Sequence, residues 1–130
     1  MKFDISYIID ALPRLFEGAL ITLQVAILGF CLSLTLATFL TIARTSLNSK
    51  IFNSILAFYI SFIRGTPLLV QIFLIYYVLP VFGLNLGPFS AGIIAITLNS
   101  AAFVTEILRG GLRLFQMVSL RLLNLLEYLV

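Results

Sequence analysis

The segment from Arg64 to Gln71 combines groups that are costly inside a lipid bilayer. It reads Arg-Gly-Thr-Pro-Leu-Leu-Val-Gln and places a permanent cation, a proline and a side-chain amide in a chain that is 62% hydrophobic. An arginine at the centre of a membrane helix costs roughly 2.5–3.5 kcal/mol on insertion scales, and polar groups there usually face a cavity or another polar group. The segment therefore predicts a membrane protein that moves a solute.

The remaining composition argues against covalent chemistry. The sequence has no histidine, and its one cysteine, Cys31, lies within an apolar run. Most zinc, haem and acid–base sites need histidine or paired thiols, and no G-x-x-x-x-G-K-[ST] loop is present to hold nucleotide phosphates. We therefore predict a chain that is not an enzyme, with no catalytic residue, metal or cofactor, and any energy source must be on another chain.

The number of charged residues is too small for a water-exposed surface. Eight Lys or Arg and five Asp or Glu are spread over 130 residues, whereas soluble domains average about 25% charged residues. The cations stand singly at the edges of apolar runs, as anchors at the ends of membrane helices do. This pattern predicts an all-α protein with several membrane spans and no nucleic-acid site.

The first predicted span occupies residues 19–42. Glu17 and Arg44 bracket 26 uncharged residues, enough for a helix of about 39 Å against a hydrocarbon core of about 30 Å. The run is too long for the apolar core of a signal peptide.

Two further spans are predicted from the 41 uncharged residues between Arg64 and Glu106. A cluster of turn-forming residues interrupts this run, namely Pro80, Gly83, Asn85, Gly87 and Pro88. The part before the cluster is too short to cross a bilayer alone, so span two is expected at 52–79, with Arg64 inside it and a kink at Pro67. Span three is expected at 89–108.

The distribution of Lys and Arg predicts the orientation. On one side the predicted spans are flanked by five such residues, Arg44, Lys50, Arg109, Arg113 and Arg121. On the other side they are flanked by two, Lys2 and Arg14. Cytoplasmic loops carry the excess of such residues. The N terminus is therefore expected outside and the C terminus in the cytoplasm.

Small and polar residues recur every three or four positions in the first and third spans. The two seams are Thr22, Ala26, Gly29, Ser33, Ala37 and Thr41, and Gly92, Ala95, Asn99, Ala102, Glu106 and Gly110. Such seams are typical of close helix packing, which is the favoured interpretation for span one. Asn99 and Glu106 leave two interpretations of the third seam, packing or the lining of a solute pathway.

Three stretches at fitting spacing resemble one family of membrane proteins. They are Gly18–Gln24, Arg64–Gln71 and Asn99–Gly111, with the signature positions Arg64, Gly65, Thr66, Pro67, Arg109, Gly110 and Gly111. The family is the permease subunits of ABC importers for polar amino acids of the histidine/glutamine/glutamate/arginine/opine type. The resemblance extends over about residues 7–112.

The resemblance implies a fold, a location and partners. The expected fold is the ABC-importer permease fold, of which this chain would supply three helices of a five-span domain in a bacterial inner membrane. The implied partners are an ATP-binding-cassette ATPase subunit, a substrate-binding protein, and a second permease copy or a sister permease in the lipid bilayer. The implied pathway candidates are Gln71, Asn99, Ser100 and Glu106.

The last residues depart from the family pattern. Residues 1–112 are expected to be the N-terminal part of the permease domain, whereas 113–130 do not resemble the cytoplasmic Glu-Ala-Ala loop that docks into the ATPase. Synonymous codons can be chosen for Met117–Leu129 so that a shifted reading frame gives Gly-Gln-Phe-Glu-Ala-Ser-Lys-Ser-Leu-Gly-Val-Ser. This compatibility predicts a truncation by a frameshift near Arg113; the alternative is an amphipathic C-terminal helix.

The sequence thus predicts the permease component of an ATP-driven uptake system for polar amino acids, in a fragment that is itself inactive. The alternative is a small three-span assembly or regulatory protein that transports nothing. Arg64 also keeps two interpretations. It shapes the second helix together with Pro67, or it extends its guanidinium to the cytoplasmic edge.

Overall fold

The structure, a computed structural model, describes residues 5–47 and 49–129. Lys2, one of the cations used to predict the orientation, lies outside the described residues. Regular structure in the described part is helical, with a short π-helical segment at Leu74–Val78 and a 3₁₀ segment at Leu79–Phe82. The α-helices are α1 (Ile5–Leu47), α2 (Lys50–Gly65), α3 (Leu68–Phe73) and α4 (Pro88–Leu129). The predicted all-helical class is confirmed.

Two of these helices are long and apolar enough to cross a membrane, and the bent pair formed by the segments 50–65 and 68–82 brings the number to three if it counts as one span. The 43 residues of α1 correspond to about 65 Å, roughly twice the thickness of a hydrocarbon core. Predicted spans one and three lie inside α1 and α4. Arg44 lies beyond the predicted end of span one but within the last turn of α1, because α1 continues through Leu47.

The predicted kink in span two is a complete break. Helix α2 ends at Gly65, α3 starts at Leu68, and their directions differ by 108°. Pro67 lacks the backbone N–H that would continue the helix, and proline also disfavours the helical conformation of the residue before it. Thr66 accordingly has extended backbone angles, φ −113° and ψ 137°. A single kinked helix over 52–79 is therefore not what the structure contains.

The turn predicted between spans two and three is present. The 3₁₀ segment Leu79–Phe82 ends at Gly83, whose φ of 86° is left-handed. Glycine adopts that conformation without a steric cost. Helix α4 then begins at Pro88, and a proline is well suited to the first turn of a helix because the N–H it lacks would have no partner there.

Helices α1 and α4 run parallel and approach closely. A Cβ atom at Gly29 would lie 2.7 Å from Cγ2 of Ile96, a distance that leaves room only for glycine. In the first predicted seam, Gly29, Ser33, Ala37 and Thr41 are buried, while Thr22 and Ala26 are exposed. The close packing predicted for the middle and end of this seam is therefore observed.

The broken span packs on the other side of α4. One apolar cluster joins α2 to α4 through Leu56, Ile60, Ile63 and Ala102, and a second joins the segment after the break to α4 through Ile75, Ala91 and Ala95. The hydroxyl of Tyr59 donates a 2.6 Å hydrogen bond to the carbonyl of Leu98. Helix α4 is thus the element against which α1, α2 and α3 are held.

Helix α4 continues without interruption past residue 112 to Leu129. The boundary predicted between residues 112 and 113 is therefore not marked by a change of backbone conformation. The division of the chain at this point stays a prediction from sequence.

Candidate functional site

The break in the second span exposes backbone carbonyls that a continuous helix would satisfy. In an α-helix the N–H of residue i bonds the carbonyl of residue i−4, so the carbonyl of Ile63 would pair with residue 67. Residue 67 is a proline and has no N–H. The backbone N–H of Thr66 approaches the same oxygen only at 3.4 Å, so this carbonyl needs another donor.

The side-chain amide of Gln71 supplies that donor. Its Nε2 donates to the carbonyl of Ile63 at 2.9 Å, and contacts the carbonyl of Thr66 at 3.1 Å and the Thr66 hydroxyl at 2.9 Å. The side chain is 5% exposed, so little water competes for these bonds. Gln71 therefore ties the start of α3 to the end of α2 across the break.

Asn99 connects this arrangement to α4. Its Nδ2 donates to Oε1 of Gln71 at 3.2 Å, so two of the four predicted pathway residues are brought together. Ser100 is the next residue on α4 and is half-buried. The polar groups at the break thus form one network, in which each side-chain oxygen and nitrogen of Gln71 has a partner. Whether this network also contacts a solute is a separate prediction.

Arg64 stands at the C-terminal end of α2. The guanidinium carbon lies 5.7 Å from the ring centroid of Phe103, within the range of a cation–π contact. A cation in the last turn also interacts favourably with the negative end of the helix dipole. Arg64 therefore has two stabilising partners, an aromatic ring on α4 and its own helix terminus.

Glu106 is paired with two cations other than Arg64. Its carboxylate lies 3.0 Å from Nη2 of Arg109, one turn further along α4, and 3.8 Å from Nη1 of Arg44 on α1. These side chains are between 19% and 32% exposed. The three residues, called here the ion cluster, link the end of α1 to the middle of α4. Seven residues, or about 10 Å along a helix, separate Glu106 from Asn99.

The signature glycines do not mark close approaches in this chain. A Cβ atom at Gly65, Gly110 or Gly111 would meet nothing within 4 Å. The signature residue Thr66 does contribute, because its hydroxyl donates to the carbonyl of Phe62 at 3.0 Å while accepting from Gln71. The signature residues Thr66 and Pro67 therefore shape the break between α2 and α3. The signature glycines have no neighbouring atoms that would exclude a side chain.

Sequence reasoning missed the partner of Glu106 on α1 and the hydroxyl bridge of Tyr59. The sequence pattern placed Arg44 at the edge of a span and among the cations that set the orientation, without a partner. The parallel course of the first and third predicted spans was a usable signal, since it places Arg44 and Glu106 near the same membrane edge. Nothing in the sequence pattern indicated that the Tyr59 hydroxyl reaches a carbonyl of α4.

Curated transport proteins are similar to this chain. The glutamine transport system permease protein GlnP of Escherichia coli is 40% identical over 113 residues, covering 85% of this chain and 51% of GlnP. The arginine transport system permease protein ArtQ of Bacillus subtilis is 37% identical over 113 residues, covering 86% and 51%. The chain spans about half the length of these relatives.

A solved structure agrees with these relatives. A crystal structure of an amino acid ABC transporter with histidines matches with a TM-score of 0.76 and 35% sequence identity, over 87% of this chain and 52% of that chain. No protein-family model matches the sequence.

Proposed function

We propose that this chain, a homologue of amino-acid ABC transporter permeases, contributes membrane helices to the permease of an ATP-driven uptake system for polar amino acids. The observation that carries the proposal is that both the sequence and the fold of this chain are similar to amino-acid transport proteins. The sequence alignment with a transport permease covers 85% of the chain, and the superposition on an amino acid ABC transporter covers 87% of it.

The polar network at the break supports a place beside the pathway. A membrane protein tolerates broken helices where the backbone is buried in protein or lines a water-filled cavity. Gln71 and Asn99 hold the break against α4, and Ser100 follows on the same helix. We propose that Gln71, Asn99, Ser100 and Glu106 lie along the solute pathway and shape it, with Arg64 and Pro67 fixing the geometry of the second span.

The partners are proposed from homology. An ATPase subunit binds and hydrolyses ATP, a binding protein delivers the amino acid from outside, and a second permease copy or a sister permease completes the pathway. The chain lies in the bacterial inner membrane with its N terminus outside and its C terminus in the cytoplasm. The excess of Lys and Arg after spans one and three supports this orientation.

We propose that the chain with its present residues 113–130 does not support uptake. ATP binding drives transport only if it favours one permease conformation over another, which requires a contact that differs between the two states. In the relatives that the sequence resembles, a cytoplasmic Glu-Ala-Ala loop provides this contact. Residues 113–130 do not resemble that loop.

The test compares two chains in proteoliposomes with the ATPase subunit and binding protein of a related amino-acid uptake system. One chain is the present sequence, and the other carries the shifted reading frame from Arg113 onward as the gene's own nucleotides give it. Uptake of radiolabelled glutamine, arginine and histidine is measured with ATP and with a non-hydrolysable analogue.

The frame-shifted chain is expected to show ATP-dependent uptake and the present chain none. Stops or unrelated residues in the shifted frame across Met117–Leu129 would contradict the predicted frameshift. Equal uptake by both chains would contradict the proposed inactivity. Correct insertion of both chains, with transport by neither, would contradict the transport function and favour the assembly or regulatory protein.

A further inference from the structure

A polar pocket lies where the end of α1 and the middle of α4 meet the start of α2. Its volume is about 530 Å³, far more than a single water molecule occupies. Residues that line it include Thr41, Arg44, Asn53, Arg109, Arg113 and Gln116. The pocket is thus built from all three membrane-associated segments and is separate from the network at Gln71.

The charges around this pocket do not balance. Three guanidinium groups line it, from Arg44, Arg109 and Arg113. In the part of the chain that the structure describes, Glu106 is the carboxylate within 4.0 Å of these groups, and it is shared between two of them. These four side chains carry a net charge of about +2, and Arg113 has no carboxylate within 4.0 Å among the described residues. Like charges gathered near a membrane need an anion or water to offset their repulsion.

Two side chains that line the pocket each have a buried polar atom without a hydrogen-bond partner among the described residues, Nη1 of Arg44 and Oδ1 of Asn53. These two atoms are closed to solvent, so a ligand in the pocket would contact the other guanidinium nitrogens. A guanidinium donor suits a phosphate oxygen.

The position of the pocket indicates where such a ligand would come from. Arg44 and Arg109 stand just beyond predicted spans 19–42 and 89–108, so the pocket lies at a membrane edge. Exposed apolar side chains adjoin it, including Leu112, which lines the pocket and is 48% exposed, and Phe115 at 73%. Basic pockets between membrane helices on the cytoplasmic side bind lipid headgroups.

We propose that this pocket binds the phosphate and hydroxylated headgroup of an anionic phospholipid, with the acyl chains along the exposed apolar surface of α4. The arginines hold the phosphate. The lipid fills the space between the end of α1, the start of α2 and the middle of α4. This site is independent of the proposed transport function, because binding is measured on the present chain alone.

The test uses Arg113→Gln, since Arg113 lines the pocket and is exposed, so its replacement leaves the ion cluster intact. Arg121→Gln is the matched control, because Arg121 is an exposed arginine of the same helix and is not among the described residues that line the pocket. Arg113→Lys keeps the charge. Binding of acyl-labelled phosphatidylglycerol and phosphatidylcholine to the purified chain in a neutral detergent is followed by fluorescence anisotropy.

Phosphatidylglycerol is expected to bind more tightly than phosphatidylcholine. Arg113→Gln should weaken that binding about fivefold, as expected for one basic residue at an anionic lipid. Arg113→Lys should keep most of it, and Arg121→Gln should leave it unchanged. Excess inorganic phosphate should not displace the lipid, because it lacks the acyl chains.

Two results would overturn the proposal. If Arg113→Gln and Arg121→Gln weaken phosphatidylglycerol binding equally, the lipid is attracted by the overall positive charge of the chain and not by this pocket. Displacement by inorganic phosphate would show a site for free anions instead of a lipid. The circular dichroism of each variant at 222 nm serves as the folding control, and a variant with reduced helicity is replaced by Arg113→Met.

Discussion

Single polar side chains hold this membrane protein together at points where its backbone is irregular. Pro67 removes one N–H, and the amide of Gln71 takes over the carbonyl of Ile63 at 2.9 Å. In a lipid environment no water is available to donate a hydrogen bond to such a carbonyl. Its side-chain donor therefore contributes more to stability than it would at an aqueous surface. Asn99 and Tyr59 extend the same principle, since each joins the second span to α4 by a hydrogen bond.

Replacing Gln71 should weaken the fold measurably. Gln71→Leu is expected to lower the free energy of unfolding by about 1–3 kcal/mol, because the carbonyls of Ile63 and Thr66 lose a buried donor. Gln24→Leu is the matched control, since Gln24 is exposed on α1. Unfolding in mixed detergent micelles, followed by circular dichroism, measures both. Equal stability of the two variants would contradict the structural role of Gln71.

Arg64 and Lys50 offer a comparison at opposite ends of α2. Arg64→Gln should destabilise the chain by about 0.5–1 kcal/mol more than Lys50→Gln does, because only Arg64 has an aromatic partner in Phe103. Phe103→Leu should abolish the difference between the two. A difference that survives Phe103→Leu would show that the cation acts through something other than this ring.

Helix α4 organises the other elements. It packs against both α1 and the broken span. Its Ala91, Ala95, Ala101 and Ala102 are fully buried, and on the α1 side Gly29 allows the close approach of Ile96. Helices in lipid associate by close packing of small residues, since burial from lipid supplies no hydrophobic driving force. The fold therefore depends on seams of small side chains rather than on a core of large ones.

Gly29 provides the sharpest test of this packing. Gly29→Ala should destabilise the chain by about 1–3 kcal/mol, because the new methyl group would lie 2.7 Å from Cγ2 of Ile96. Gly18→Ala is the control, since nothing lies within 4 Å of its Cβ position. In an Ile96→Ala background the conflicting methyl is absent, so Gly29→Ala should cost clearly less there than in the native chain. An equal cost in both backgrounds would contradict the observed contact between α1 and α4.

The sequence predicted the helical class, the approximate positions of spans one and three, the turn near Gly83 and the seam around Gly29. These depend on apolar length and small-residue spacing, which are local properties of the chain. It did not predict the 108° break, because proline permits either a kink or a break and the outcome depends on Gln71, four residues later. The pairing of Arg44 with Glu106 depends on the mutual placement of two helices, which no local pattern contains.

For the whole molecule, the orientation in the bilayer decides which side of the chain faces the proposed ATPase subunit and which side faces the proposed binding protein. The prediction places Asn85 outside and Asn48 inside, following the excess of Lys and Arg. Cysteines are introduced singly at these positions in a Cys31→Ala background, because Cys31 is exposed. Membrane-impermeant maleimide should label the Asn85 position in intact cells and the Asn48 position only after permeabilisation. The reverse labelling pattern would contradict the predicted orientation and would place the proposed ATPase-facing side outside the cytoplasm.

The central claim is that this chain folds and functions as part of an amino-acid permease. It is tested most directly by a chimera in which residues 1–112 replace the aligned segment of Escherichia coli GlnP, expressed in cells that lack their own GlnP. ATP-dependent uptake of radiolabelled glutamine, arginine and histidine is measured against empty vector and native GlnP, with membrane insertion checked by immunoblot. The account predicts uptake of at least one of these amino acids clearly above the empty-vector background. A chimera inserted at the level of native GlnP that takes up none of them would contradict it.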